Sequence, residues 1–296
     1  MEELRRSLRE HGYVRVPRVP GRKGDENGSR SGKPHVRQTI SMKKRLDVLL
    51  VERGFAESRA QAQALVLAGL VRGFDKPGHQ VDDSVELTVE RPPRWVSRGG
   101  EKLAHGLDAL GVDPAGLDCV DVGASTGGFT DVLLDRGATR VIAIDVGYGQ
   151  LHPRLRSDPR VVVMERTNAR TLTELPFAPL LAVCDVSFIS VRIALPPVLR
   201  LCAPGWRAVV LVKPQFEAGR EDVGKGGVVR DDDVRRRVVR EVADAALGWQ
   251  ASVAGVVDSG LPGPKGNREI FLHLVHSEQP TLPDDLDERI DAALAG

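Results

Sequence analysis

The chain has 296 residues, roughly two typical domains, and its 41% hydrophobic content is enough for real cores and too high for a disordered polymer. The formal charge of +1 is unevenly spread: residues 1–41 carry a net +5, residues 43–102 a net +2 and residues 103–296 a net −6, so a polyanionic partner is expected at the N-terminal part. No apolar run approaches the ~18 residues that span a bilayer, no apolar stretch follows the Arg-rich start as a secretory signal requires, and Cys119, Cys184 and Cys202 are too scattered for a disulfide framework or a zinc site.

Those cysteines point to a reducing, cytoplasmic setting. Residues 1–41 are rich in Gly, Pro, Arg and Ser and read as a disordered basic tail. Met42 precedes a clean helical pattern and is an alternative start of translation, while an RNA-touching arm is the sharper reading of the tail. From Lys43, Leu46, Leu49 and Leu50 share one helical face and Gly54 stops it. Ser58 caps a second helix with the stripe Ala62, Leu65, Val66 and Leu70, and Val85–Val89 alternates like a strand. This α+β module, residues 42–90, carries the basic residues Lys43, Lys44, Arg45, Arg53, Arg59 and Arg72, and composition alone does not decide between a solvated charged face and a polyanion-binding one.

Residues 91–97 read as a stiff interdomain linker around Pro92-Pro93, with Trp95 as a packing residue or a base-stacking platform. Residues 98–277 then alternate strand and helix. Asp118–Gly123, Arg140–Asp145, Val161–Met164, Leu180–Cys184 and Arg207–Val212 are short, apolar and β-branched, as buried parallel strands are. A long helix around Asp233–Gly248 and the late strands Val253–Val257 and Ile270–Val275 complete the pattern. The turn between those strands predicts an antiparallel final hairpin. The expected class is α/β, an open, mostly parallel, doubly wound seven-stranded sheet with an antiparallel last strand. Residues 278–296 are expected to add a C-terminal helix.

The strongest motif runs Asp121-Val122-Gly123-Ala124-Ser125-Thr126-Gly127-Gly128-Phe129. A strand ends in Asp, and a glycine-rich loop then opens a helix whose free N–H groups suit a carboxylate or hydroxyls. One strand later, Asp145 stands where an acid can bind ribose hydroxyls. The loop lacks the Gly-x-Gly-x-x-Gly of dinucleotide sites and resembles the S-adenosylmethionine loop of Rossmann-like methyltransferases. Lys102 on the helix before the first strand, Asp185 and Lys213 at strand ends and Glu269 opening the last strand are the remaining polar candidates, with unrelated surface ion pairs as the plain alternative. His273 and His276 point to opposite faces of a strand, and no metal is expected. Glu217–Arg230 is Gly-rich and reads either as a mobile lid or as a permissive surface loop.

Two resemblances sharpen this reading. "RLDVLLVERGFAESRAQAQALVLAGLVRG" is similar to the S4 RNA-binding domain, with Arg45, Ser58, Arg59, Gly69 and Val71 in the matching places and Arg72-Gly73 departing slightly from the usual turn, and this resemblance implies RNA contacts by Lys43, Lys44, Arg45, Arg59 and Arg72. In the order Lys102, Asp185, Lys213, Glu269, the polar residues resemble the catalytic tetrad of RrmJ/FtsJ-type RNA 2′-O-methyltransferases. With "SRGGEKL", "DVGASTGGFTDVLL", "DVGYGQL", "ERTNAR", "DVSFIS", "LVKPQFE" and "PGPKGNREIFL", the chain from about Met42 resembles the haemolysin-A (TlyA) family. That resemblance implies a class I methyltransferase fold, S-adenosyl-L-methionine as cofactor, cytidine 2′-hydroxyls of ribosomal RNA as substrate, and Asn168 near the adenine. It also implies that Lys213 meets the hydroxyl, Asp185 positions Lys213, and Lys102 and Glu269 order the substrate. A monomer is expected. Competing readings are a membrane-active haemolysin and a non-catalytic S4-type assembly factor.

Overall fold

The computed structural model describes residues 13–15, 43–90 and 94–295, and the chain divides into two compact units, Met1–Pro92 and Pro93–Gly296. In the first unit β1 (Tyr13–Arg15) pairs antiparallel with β4 (Thr88–Glu90), and β2 (Lys43–Arg45) pairs antiparallel with β3 (Gln80–Asp82). Tyr13–Arg15 corrects the expectation that all of residues 1–41 form a tail, and the rest of that stretch lies outside the described residues. Helices Leu46–Glu52 and Arg59–Leu67 stand where the stripes predicted them. Ser58 accepts a hydrogen bond from the Gln61 N–H, a cap worth about 1 kcal/mol. Their apolar faces meet over Leu46, Leu49, Leu50, Ala62, Leu65, Val66, Leu87 and Val89.

The second unit is a seven-stranded sheet in the order β10-β11-β9-β8-β5-β6-β7. Its strands are β5 (Asp118–Val122), β6 (Arg140–Ile144), β7 (Val161–Met164), β8 (Leu181–Cys184), β9 (Arg207–Val212), β10 (Ala251–Asp258) and β11 (Ile270–His276). Strands β5 to β9 pair parallel, and β11 runs antiparallel to both β9 and β10, as the short turn predicted. Alternate side chains feed two cores. Val120, Ile142, Ala182, Val210 and Leu272 face one side and Cys119, Val141, Leu181, Val209 and Phe271 the other. Both faces are therefore covered, which is why these strands read as continuous apolar runs. Helices Arg98–Leu110 and Gly128–Asp135 cover one face, and Asp232–Leu247 and Leu286–Ala295 the other.

The strand order reverses between β5 and β8. Open α/β sheets bind ligands at the carboxyl ends of strands at such a point. Trp95 packs against helix Arg98–Leu110, where a Cβ on Gly100 would lie 2.5 Å from its own Cβ, so packing is its role. Among the described residues, no helix is long and apolar enough to cross a membrane.

Candidate active site

The site grows from the reversal point. Strand β5 ends at Val122 and β8 at Cys184, and the Asp185 N–H donates to the Val122 carbonyl, so the loops after both strands start side by side. Gly123 has φ +89, and a Cβ there would lie 2.6 Å from the Asp185 carbonyl oxygen. Glycine is required by the neighbouring loop as much as by any ligand. The cleft that opens here, about 180 Å³, is lined by Ser97, Gly99, Gly123, Ala124, Ser125, Thr126, Gly128, Phe129, Asp185, Ser187 and Lys213. At helix Gly128–Asp135, a Cβ on Gly128 would fall 2.2 Å from Ser97 Oγ.

Asp121 sits differently from its expected place at the cofactor. It is fully buried, and its Oδ2 accepts from the Thr130 N–H (2.9 Å) and the Thr130 hydroxyl (2.7 Å), holding the first turn of helix Gly128–Asp135. Its other oxygen has no partner, and burial pushes the carboxyl up to about 7. Gly127 is turned towards Leu151 and Leu155 rather than lining the cleft.

Asp145 follows β6 outside the cleft lining. Its Oδ2 accepts from the Ser125 N–H (2.8 Å) and its Oδ1 from the Gly147 N–H (2.6 Å). Each oxygen keeps a lone pair for a further donor. Asn168 is not at the cleft wall: its side-chain oxygen accepts from the Arg170 N–H and caps the turn Ala169–Thr171.

The four tetrad candidates form two ion pairs. Lys213 Nζ lies 2.5 Å from Asp185 Oδ1 and donates to Ser187 Oγ at 3.0 Å, at the cleft. Lys102 Nζ lies 2.5 Å from Glu269 Oε2, and both are buried. Gln215 Nε2 donates to Glu269 Oε1 at 3.3 Å, so the turn after Lys213 touches the second pair. The structure thus separates the four. Asp185 and Lys213 line the cleft, while Lys102 and Glu269 are spent on each other and do not line it, Glu269 facing a separate pocket with Asp258, Ser259 and Arg268. Sequence reasoning had not singled out Ser187, Gln215 or Glu217 as individual residues, although each lies inside a quoted motif.

The Gly-rich segment after Lys213 is held in place. Lys265 Nζ donates to the Gly226 carbonyl (2.8 Å), Asn267 Nδ2 donates to the Gly227 carbonyl (2.9 Å), and the Val229 N–H donates to Asn267 Oδ1 (3.1 Å).

In the first unit, two of the expected RNA contacts have internal work. Arg45 grips Asp47 through Nε and Nη2 (3.0 and 2.9 Å), and Arg59 Nη2 and Gln63 Nε2 bind the same carboxylate (3.1 and 2.9 Å). Asp47 is fully buried, and the Arg45 guanidinium beside it, with help from Gln63 and Arg59, holds its carboxyl well below the usual range. Lys44 pairs with Glu52 at 2.6 Å. Lys43 and Arg72 are exposed.

The chain matches the FtsJ-like methyltransferase family over residues 95–276 and the S4 domain family over residues 44–72. It is 51% identical over 267 residues to the 16S/23S rRNA (cytidine-2′-O)-methyltransferase TlyA of Mycobacterium tuberculosis, covering 86% of this chain and 99% of that protein. It is 38% identical over 238 residues to Hemolysin A of Brachyspira hyodysenteriae, covering 78% of this chain and 99% of that protein. A solved structure from Streptococcus thermophilus, described as a candidate hemolysin, superposes with a TM-score of 0.66 at 40% identity, covering 86% of this chain and 96% of that one. The cleft at the β5–β8 reversal, its glycine loop and the Lys–Asp pair are thus set in a chain that belongs to the FtsJ-like methyltransferases carrying an N-terminal S4 domain, the family of the TlyA proteins.

Proposed function

We propose that this enzyme transfers a methyl group from S-adenosyl-L-methionine to the 2′-hydroxyl of cytidine in ribosomal RNA of the small subunit, the large subunit or both, in the cytoplasm, with the S4 module docking the RNA. The observation that carries the reading is Lys213, paired with Asp185 and hydrogen-bonded to Ser187 at the mouth of a glycine-walled cleft.

The residues present fit the cofactor. In the loop and first turn the N–H groups of Gly123, Ala124, Ser125, Gly127 and Thr130 are engaged within the fold, which leaves those of Thr126, Gly128 and Phe129 for a carboxylate, and Asp145 keeps acceptor capacity for ribose hydroxyls. When bound, the cofactor supplies an electrophilic methyl group on a sulfonium. The protein's own task is at the nucleophile. A ribose hydroxyl attacks poorly until it is aligned and relieved of its proton. Lys213 is the group at the cleft placed to orient that hydroxyl and, in its neutral amine form, to accept the proton. Asp185 and Ser187 fix where its Nζ points. Lys102 and Glu269 neutralise one another within the fold, and Gln215 joins Glu269 to the turn after Lys213, a positioning role in place of the direct substrate contact expected from the resemblance.

Incubating the purified chain with labelled cofactor and 30S, 50S or 70S particles, then digesting the RNA to nucleosides, tests this reading. The expected product is 2′-O-methylcytidine in at least one particle. Label on a base, or no label in any particle, would overturn it.

A further inference from the structure

The segments Asp185–Ser190 and Lys213–Glu217 follow neighbouring parallel strands, β8 and β9, and meet at their two ends and at one ring pair between. At one end stand Asp185 and Lys213, with Ser187 beside them. In the middle the rings of Phe188 and Phe216 lie 5.1 Å apart. At the far end the buried Glu217 carboxylate accepts from the Ser190 hydroxyl (2.5 Å), the Val191 N–H (2.7 Å) and Arg192 Nε (3.3 Å). The Arg192 guanidinium also donates to the Glu217 carbonyl at 3.1 Å. The two loops are therefore closed at both ends: three residues separate Lys213 from Glu217, and four separate Asp185 from Ser190.

Two observations say that this closure does more than cap a helix. The helix it meets, Val191–Ala194, is four residues long and already has the Ser190 hydroxyl accepting from the Arg192 N–H. A buried carboxylate is an expensive way to finish so short an element. Between the two closed ends, Phe188, 91% exposed and touching the Phe216 ring, adopts φ +64, a left-handed conformation that costs a non-glycine residue free energy and persists where the flanking segments hold it. A loop held in that state relaxes when one end is released, and the other end carries Asp185.

We propose that Glu217 is a positioning residue of the transfer reaction: it ties the loop after β8 to the turn after β9 and so sets Asp185 against Lys213 Nζ. The inference rests on the reading of Lys213 as the group that meets the hydroxyl. Misplacing a reacting group by about 1 Å can cost on the order of 10²-fold in rate.

The test is a double-mutant cycle in the full-length protein, with Glu217→Gln, Asp185→Asn and the double variant. Single-turnover methyl transfer to ribosomal particles, cofactor affinity by calorimetry and melting temperature are measured on each. Glu217→Gln is expected to slow transfer about 10- to 100-fold with cofactor affinity and the KM for RNA within about twofold of wild type. In the Asp185→Asn background the same change is expected to cost almost nothing further in rate, because the alignment it protects is already lost, while its effect on melting temperature persists. Rates that multiply independently in the double variant would make Glu217 purely structural and overturn the proposal. A wild-type rate in Glu217→Gln does the same. A wild-type rate in Asp185→Asn would instead overturn the assignment of the Lys213–Asp185 pair itself. Should Glu217→Gln fail to fold, Ser190→Ala, which removes one donor of the clamp, takes its place in the cycle with the same pair of deciding outcomes.

Discussion

Asp121 shows how a residue can be conspicuous in the sequence and yet work differently in the fold. Its place before the glycine loop marked it as a cofactor contact, but a strand-end side chain points either to the cleft or to the helix that follows, and the motif alone does not say which. Here it holds Thr130, and burial raises its carboxyl to about 7. An acid whose folded value lies above its unfolded value, near 4, favours the fold when protonated. Its contribution is fully present below about pH 4, is lost as pH rises through about 7, and stays lost above that. Asp121→Asn keeps an oxygen for Thr130 and removes the titration. The difference in unfolding free energy between variant and wild type should therefore move in the variant's favour between pH 4 and 8, by up to about 4 kcal/mol at ~1.4 kcal/mol per unit. Denaturant melts at both pH values check this, and a difference that does not change with pH would show that the carboxyl is ionised in the fold throughout.

At the level of elements, the sheet was readable because each strand is a short apolar run between polar turns, and both faces are buried. The final hairpin was readable from its short turn. What escaped were strands of three residues: Lys43–Arg45 and Gln80–Asp82 are largely polar, and both helices of the unit lie between them in the chain. The loops of the site were legible as motifs and not as contacts. Gly123 illustrates this, since its nearest would-be clash is the Asp185 backbone on the next strand rather than a ligand. Gly123→Ala should accordingly act on two observables at once. It should lower the melting temperature, since the left-handed backbone alone costs about 1–2 kcal/mol, and weaken cofactor binding, because the loops after β5 and β8 must separate. Calorimetry and thermal melts on the one variant decide. Loss of cofactor affinity at unchanged stability would mean that Gly123 serves the ligand alone.

At the scale of the whole molecule, the proposal gives RNA docking to the S4 unit and the transfer chemistry to the methyltransferase unit. The basic residues of the S4 pattern also divide. All four of Lys43, Arg45, Arg59 and Arg72 are exposed, but Arg45 and Arg59 also neutralise the buried Asp47, a role invisible to charge counting. Reversing charge at Lys43 and Arg72 together should weaken binding to ribosomal particles and flatten its salt dependence, since fewer phosphates are neutralised, with the melting temperature near wild type. Arg45→Glu should instead lower the melting temperature by placing a second carboxylate against Asp47. Filter binding across a salt series separates the two, and an unchanged slope in the Lys43 and Arg72 variant would take the docking role away from these residues. The central claim concerns Lys213, and single-turnover methyl transfer to ribosomal particles by Lys213→Ala, with the product nucleoside read by mass spectrometry, tests it most directly. The account predicts a loss of about 10²–10⁴-fold with cofactor and particle binding intact, and no recovery in Lys213→Arg, whose guanidinium accepts no proton at neutral pH. Near-normal transfer by Lys213→Ala would contradict it.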